Sequence, residues 1–184
     1  MGVHSYAPRV ANGGESALLV EVPEAESLVS ALRRLHDPVA TRGVPAHVTV
    51  LFPFLGPEHL DDRSLAGVRA LAAAHEPFDF ELQRIDEFPG TVWLAPEPPE
   101  PFRALTREAA IRFPDHPPYS GLFPDIVPHL TVGHADPETI PELRAEVKRT
   151  INGQLPVAST ARTLALWSHE GEEWRRYAAF PLGG

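Results

Sequence analysis

P-A-H-V-T-V-L-F-P-F, residues 45–54, and V-P-H-L-T-V, residues 127–132, carry one signal twice: histidine, an apolar residue, threonine, an apolar residue, with the two histidines 82 positions apart. Both stretches alternate and are rich in β-branched residues, so each is predicted as a strand. Alternate side chains of a strand share a face. His47 and Thr49 therefore point one way and Val48 and Val50 the other, and His129 and Thr131 are set in the same manner against Leu130 and Val132. A single tetrad of this kind arises by chance in a chain of this composition, whereas two are on the order of a one-in-a-hundred coincidence.

Reading forward from each histidine gives the same order of elements. After His47 come a loop, a helical pattern with Leu60, Leu65, Val68 and Leu71 on one face, an alternating strand over 78–85, a turn at Phe88-Pro89-Gly90 and a returning strand over 91–95. After His129, Asp136-Pro137 reads as an N-cap followed by proline at the first helical position, with Ile140, Leu143, Val147 and Ile151 as the apolar stripe. A strand over 157–167, a turn at Gly171 and a strand over 174–180 complete the second unit. Phe78 and Val157 fall 31 and 28 residues after their histidines, and Trp93 and Trp174 fall 46 and 45 after them, so an internal duplication is the economical account. A further helical pattern precedes each unit, with Leu28, Val29, Leu32 and Leu35 in the first and Phe102, Leu105 and Ala109 in the second. A strand over 17–22 opens the first lobe, and its counterpart is expected in the proline-rich segment 114–128. The expected fold class is α+β: one two-lobed domain over residues 1–184, with units starting near His47 and near His129.

With 184 residues, 43% of them hydrophobic and 22% charged, the chain can bury a core of its own without staples. It contains no cysteine, which excludes disulfides, thiolate metal sites and a cysteine nucleophile. The N-terminus has no signal-peptide core, and no run approaches the ~20 apolar residues of a membrane span, so a cytoplasmic setting is expected. The net charge is −9 and Lys148 is the one lysine, a balance that disfavours long or duplex nucleic acid. Arg33-Arg34 and Arg175-Arg176, the densest basic pairs, read as solvated-face residues. Among the remaining histidines, His134 lies five positions after His129, an odd offset that puts it on the opposite strand face. Asp115 and His116 lack partners at metal-ligand spacing, and His4, His36, His59, His75 and His169 are assigned no catalytic role. There is no phosphate-cradling glycine loop, no nucleophile elbow and no zinc-protease motif.

If the lobes face each other, two imidazoles and two hydroxyls surround one point. That set suits a phosphodiester: one imidazole takes a proton from the attacking oxygen, one gives a proton to the leaving oxygen, and the hydroxyls donate to the non-bridging oxygens. No metal and no cofactor are called for. A binding module that holds nucleotide or phosphate without turnover is the alternative, although such a module gains more from Arg or Lys than from imidazole.

The two motifs resemble those of the two-histidine phosphoesterase superfamily, which includes bacterial 2′-5′ RNA ligases and RNA cyclic phosphodiesterases. The resemblance extends from the strand at 17 to the last strand near 180, and both His and both Thr positions match. It implies a bilobal, pseudo-twofold scaffold of two small antiparallel sheets facing a central cleft, with helices on the outer faces. It also implies opening of a cyclic phosphodiester such as a 2′,3′-cyclic phosphate on a nucleotide or short RNA end, or 2′-5′ ligation as its reversal. By the resemblance His129 is the base and His47 the acid, with Thr49 and Thr131 beside them; separately, a monomer is expected. Tyr119, Phe123, Trp93 and Phe54 are the aromatic candidates for holding a base.

Overall fold

In the computed structural model, residues 15–123 and 125–184 are described; His4 and the Asn12-Gly13-Gly14 turn lie outside them. Eight strands form two four-stranded antiparallel sheets. In the first, the order is β2 (His47–Leu51), β1 (Ser16–Glu21), β7 (Thr163–Glu170) and β8 (Glu173–Pro181). In the second it is β5 (Leu130–His134), β4 (Thr91–Glu97), β3 (Phe78–Phe88) and β6 (Val157–Ala161). Each histidine motif thus lies on an edge strand of its own sheet, and the expected α+β pair of sheets about a cleft is observed.

The helices follow the apolar stripes. In α1 (Pro23–His36) Ala25, Leu28, Val29 and Leu32 are buried, but Leu35 is exposed and the buried side chain of the last turn is Arg33. A short α2 (Pro38–Thr41) follows. The Asp61 carboxylate caps α3 (Asp62–Ala73) by accepting from the Ser64 N–H at 2.8 Å, and Val68 and Leu71 are buried as predicted. In α4 (Glu100–Arg112) Phe102 packs edge-on to Phe78 and Phe80 at 4.9 and 5.0 Å, which docks the helix on the second sheet. The helix α5 (Ile140–Thr150) starts later than Asp136-Pro137 suggested: the Asp136 carbonyl accepts from the Thr139 and Ile140 N–H groups, and Pro141 is the proline of the first turn.

Two strand expectations need correction. The single strand over 157–167 is two strands parted at Arg162, because β6 pairs with β3 and β7 pairs with β1, so this segment passes from one sheet to the other. The opening strand expected in 114–128 is absent among the described residues there, which form only a short 3-10 turn at Pro118–Gly121. Proline lacks the N–H a ladder needs, and prolines crowd this segment. In the second sheet the place that β1 holds in the first is taken by β4, which pairs with both β3 and β5 and leads into α4 as β1 leads into α1.

The main core lies where the helices meet the two sheets and includes Val48 and Val50 of β2 and Leu130 and Val132 of β5. A smaller apolar group, with Ala17, Leu19, Val44, Trp167 and Trp174, covers the other face of the first sheet. That second layer explains why β1 reads as a continuous apolar run: it is buried on both faces.

Candidate active site

The segment leading to His47 is pinned before the histidine is reached. The Ala46 carbonyl accepts from the Val22 N–H at 2.8 Å, and the Ala46 N–H donates to the Glu26 carboxylate of α1. Nδ1 of His47 then lies 2.7 Å from the Pro45 carbonyl oxygen. A carbonyl only accepts, so the proton is assigned to Nδ1 and the lone pair of Nε2 is left for the cleft. His129 repeats the arrangement, with Nδ1 2.8 Å from the Val127 carbonyl oxygen. In both cases the carbonyl belongs to the residue two positions before the histidine. His129 immediately precedes β5, so this strand starts one residue later than predicted.

Thr49 and Thr131 share the faces of their histidines, opposite Leu19 and Trp93 respectively. All four side chains are half-buried, whereas Val48, Val50, Leu130 and Val132 are buried on the reverse faces. The alternation read from the two tetrads is what the register delivers.

Charge around the two imidazoles is unequal. Burial pushes the His47 imidazole down from its ordinary value to about 4, the Arg33 guanidinium adds to the depression, and the Pro45 carbonyl and Asp37 oppose it; the His129 imidazole is near enough to lower it further. Burial also lowers His129, offset by the Val127 carbonyl, with a small further depression from His134. Arg33 was read from sequence as a solvated residue, yet it is 2% exposed. Its Nε and Nη2 donate to Asp37 Oδ2 at 3.1 and 2.9 Å, and Nη1 donates to the Val44 carbonyl at 3.2 Å. A buried guanidinium is tolerable only with such a partner set, and its field makes a proton on His47 costly. No periodicity could have shown this, because Arg33 and exposed Arg34 are adjacent on the same amphipathic helix.

His134 is the second residue that sequence reasoning misplaced. Val92 pairs with Gly133 but Trp93 pairs with Thr131, so β5 carries a bulge at Val132. One extra residue reverses the parity beyond it. His134 consequently lies opposite Thr91, on the face of Trp93 and Thr131, with its Nδ1 3.0 Å from the Thr91 hydroxyl.

Aromatic rings surround His129. Trp93 lies 5.8 Å from the imidazole, Phe88 stacks on Trp93 at 4.7 Å and meets His129 edge-on at 5.1 Å, and Tyr119 lies nearly parallel to the imidazole at 6.4 Å. Phe123 packs against Tyr119. Phe54, the fourth aromatic candidate, is buried against Phe113 and His116 and takes no part. Phe88 was read only as the start of a turn. Beside Thr49, a pocket of about 400 Å³ opens between α4 and the segment 117–128.

Two facing four-stranded sheets, each with a histidine-threonine motif at an edge strand, define a two-lobed α+β protein. The sequence profile of the 2′-5′ RNA ligase superfamily matches residues 20–173, and the chain belongs to that superfamily. Among solved structures it is similar to E. coli LigT complexed with 3′-AMP, at 17% identity over 92% of this chain and 98% of that one, with a TM-score of 0.61. It is also similar to E. coli LigT complexed with NADP+, at 17% identity over 94% and 99% of the two chains and a TM-score of 0.60. The protein TT0787 of Thermus thermophilus shares 22% identity over 92% of this chain and 98% of its own, with a TM-score of 0.54. No curated protein matches the sequence significantly. Among the described residues no helix is long and apolar enough to cross a membrane.

Proposed function

We propose that the protein is a phosphoesterase that opens a cyclic phosphodiester, such as a 2′,3′-cyclic phosphate on a nucleotide or short RNA end, by acid/base catalysis between His47 and His129. The observation that carries this reading is the matched presentation of the two imidazoles: each is fixed through Nδ1 to a backbone carbonyl, offers Nε2 to the cleft and has a threonine two residues on. In the reaction, one Nε2 takes a proton from water as its oxygen bonds to phosphorus. The other Nε2 gives a proton to the ribose oxygen as the P–O bond breaks, leaving a phosphomonoester. Thr49 and Thr131 donate to the non-bridging oxygens, where charge accumulates.

The charges support the reverse of the division that the resemblance implies. Arg33 disfavours protonated His47, which suits a base, while His129 has no buried guanidinium beside it and suits the acid. The phosphate anion, once bound, favours the proton on the acid.

The test is a panel of 2′,3′-cyclic nucleotides assayed in the presence of a chelator, with the position of the product phosphate determined. Hydrolysis should persist with EDTA, and His47→Ala and His129→Ala should each lose about 10²- to 10⁴-fold in rate. Turnover that vanishes on chelation and returns with a divalent ion would overturn the two-histidine mechanism. Binding without turnover on every substrate would favour the non-catalytic module.

A further inference from the structure

Four buried side-chain polar atoms lack a hydrogen-bond partner among the described residues: His36 Nε2, Arg144 Nε, Ser168 Oγ and Trp93 Nε1. Two of them lie beside a counter-ion, His36 Nε2 at 3.2 Å from Glu146 and Arg144 Nε at 3.6 Å from Glu87. Ser168 pairs with Ser16, at the end of β1 remote from His47. Trp93 has no counter-ion and stands on the catalytic face. It is 4% exposed, lies opposite Thr131 in the β4–β5 ladder, and its ring is 5.8 Å from the His129 imidazole. Its neighbour in β3, Asp86, is engaged elsewhere: Oδ1 accepts from the Glu87 N–H at 2.9 Å and Oδ2 lies 3.7 Å from Arg84 Nε. The fold completes the same donor in the other sheet, where Trp167, 8% exposed, donates through Nε1 to Glu21 Oε1 at 2.9 Å. A buried N–H without an acceptor costs stability unless a ligand completes it.

We propose that Trp93 is a further catalytic residue whose indole N–H donates to a non-bridging oxygen of the bound phosphate, on the side held by Thr131. The assignment rests on the phosphoesterase reading above and adds a donor to it. The indole nitrogen only donates, so whatever completes it must be an acceptor. Beside Thr131 and His129, the acceptor that the reaction brings is a phosphate oxygen, which gains charge as water attacks. Unlike an imidazole, the indole does not titrate, so it donates whichever histidine holds the proton. The N–H is closed to solvent, and the contact forms as the indole shifts against Phe88, whose ring stacks on it at 4.7 Å and is itself half-buried.

The chain has three tryptophans, so a proton–nitrogen correlation spectrum should give three indole signals, with that of Trp93 identified by its loss in Trp93→Phe. Titration with inorganic phosphate, and with a nucleoside 3′-phosphate, should move the Trp93 signal downfield and leave those of Trp167 and Trp174 in place. Trp93→Phe keeps an aromatic ring against Phe88 but has no donor. Its kcat/KM on a nucleoside 2′,3′-cyclic phosphate should fall about 10- to 100-fold, the range for one hydrogen bond to a charged group. Replacement of Trp93 by benzothienylalanine, in which sulfur takes the place of the N–H in a ring of nearly the same shape, should show the same loss, which separates the donor from the packing of the ring. Wild-type kcat/KM in the benzothienyl protein would overturn the proposal, as would a Trp93 signal that answers to an unphosphorylated nucleoside and not to phosphate. Calorimetric binding of the nucleoside 3′-phosphate separates this from the phosphoesterase reading. If no cyclic substrate is turned over but the benzothienyl protein still binds that ligand about tenfold more weakly, the phosphoesterase reading fails and the phosphate contact stands; if turnover and binding are both unchanged by the replacement, the contact fails and the phosphoesterase reading stands.

Discussion

His47 and His129 have the same tautomer and the same kind of backbone anchor, so what separates them is the field each one feels. Arg33 lies in the buried ion pair with Asp37 and acts on His47 alone. If His47 is the base, it is indispensable whatever the leaving group, whereas the acid is needed only when the leaving oxygen is basic. On a phosphodiester with an activated phenol as leaving group, His129→Ala should therefore recover most of its lost rate and His47→Ala should not. The opposite recovery would exchange the roles and leave the two-histidine mechanism standing. Thr49→Val and Thr131→Val should each slow turnover by about 10²- to 10³-fold, as the loss of one oxyanion donor does elsewhere, with KM changed less than kcat. Wild-type kcat in both valine variants would place the donors elsewhere.

Elements decide whether residue periodicity can be trusted. The tetrads at 47–50 and 129–132 were legible because a strand buried on one face and open on the other writes its orientation into the sequence. The same parity rule misplaced His134, since the bulge at Val132 comes from the pairing of β5 with β4 and leaves no local signature. The segment 157–167 was legible as extended chain but not as two strands, because the switch at Arg162 depends on which partner each half finds. Glu26 and the burial of Arg33 were illegible for a related reason: the Ala46 N–H that donates to Glu26 and the Val44 carbonyl that accepts from Arg33 become neighbours of α1 only when it closes against the segment leading to β2. Gly133 tests how tightly α1 is held. A Cβ there would come within 2.5 Å of His36 Cβ and 3.3 Å of Leu143 Cδ2, and His36 Cβ is too close to the helix backbone to swing aside. Gly133→Ala should thus force α1 outward and cost about 1–3 kcal/mol, the usual penalty of overpacking. Because α1 carries Glu26 and Arg33, activity should fall as well; denaturant unfolding at wild-type stability would show that the helix yields freely.

Over the whole molecule, charge limits what can bind and protonation limits where the fold is stable. The net charge is −9, and Arg84, Arg103, Arg112, Arg175 and Arg176 are already paired with carboxylates. A cyclic mononucleotide should therefore be hydrolysed within about tenfold of a long RNA end, with little loss of affinity between about 50 and 200 mM salt. A steep salt dependence would reveal a basic track for the polymer. The same interior that keeps the imidazoles neutral should make the fold sensitive to mild acid. Folded His47 titrates at about 4 and folded His129 below its ordinary value, whereas in the unfolded chain both titrate near 6.5. Between these values the unfolded chain binds more protons, so stability rises with pH there. The contribution is complete above about 6.5 and is lost as pH falls through the window down to about 4. Glu108, held low by its Arg112 hydrogen bond, loses its share only in the carboxylate range below, and Glu15, raised by burial, acts in the opposite sense. Thermal unfolding should accordingly show a falling Tm from pH 7 to pH 5, above most carboxylate titration. His47→Gln keeps a neutral polar side chain that cannot take up a proton, so its Tm should fall less over the same interval. Parallel curves for the two proteins would mean that His47 is as easily protonated in the fold as in the unfolded chain, and the electrostatic case for His47 as the base would fall with it.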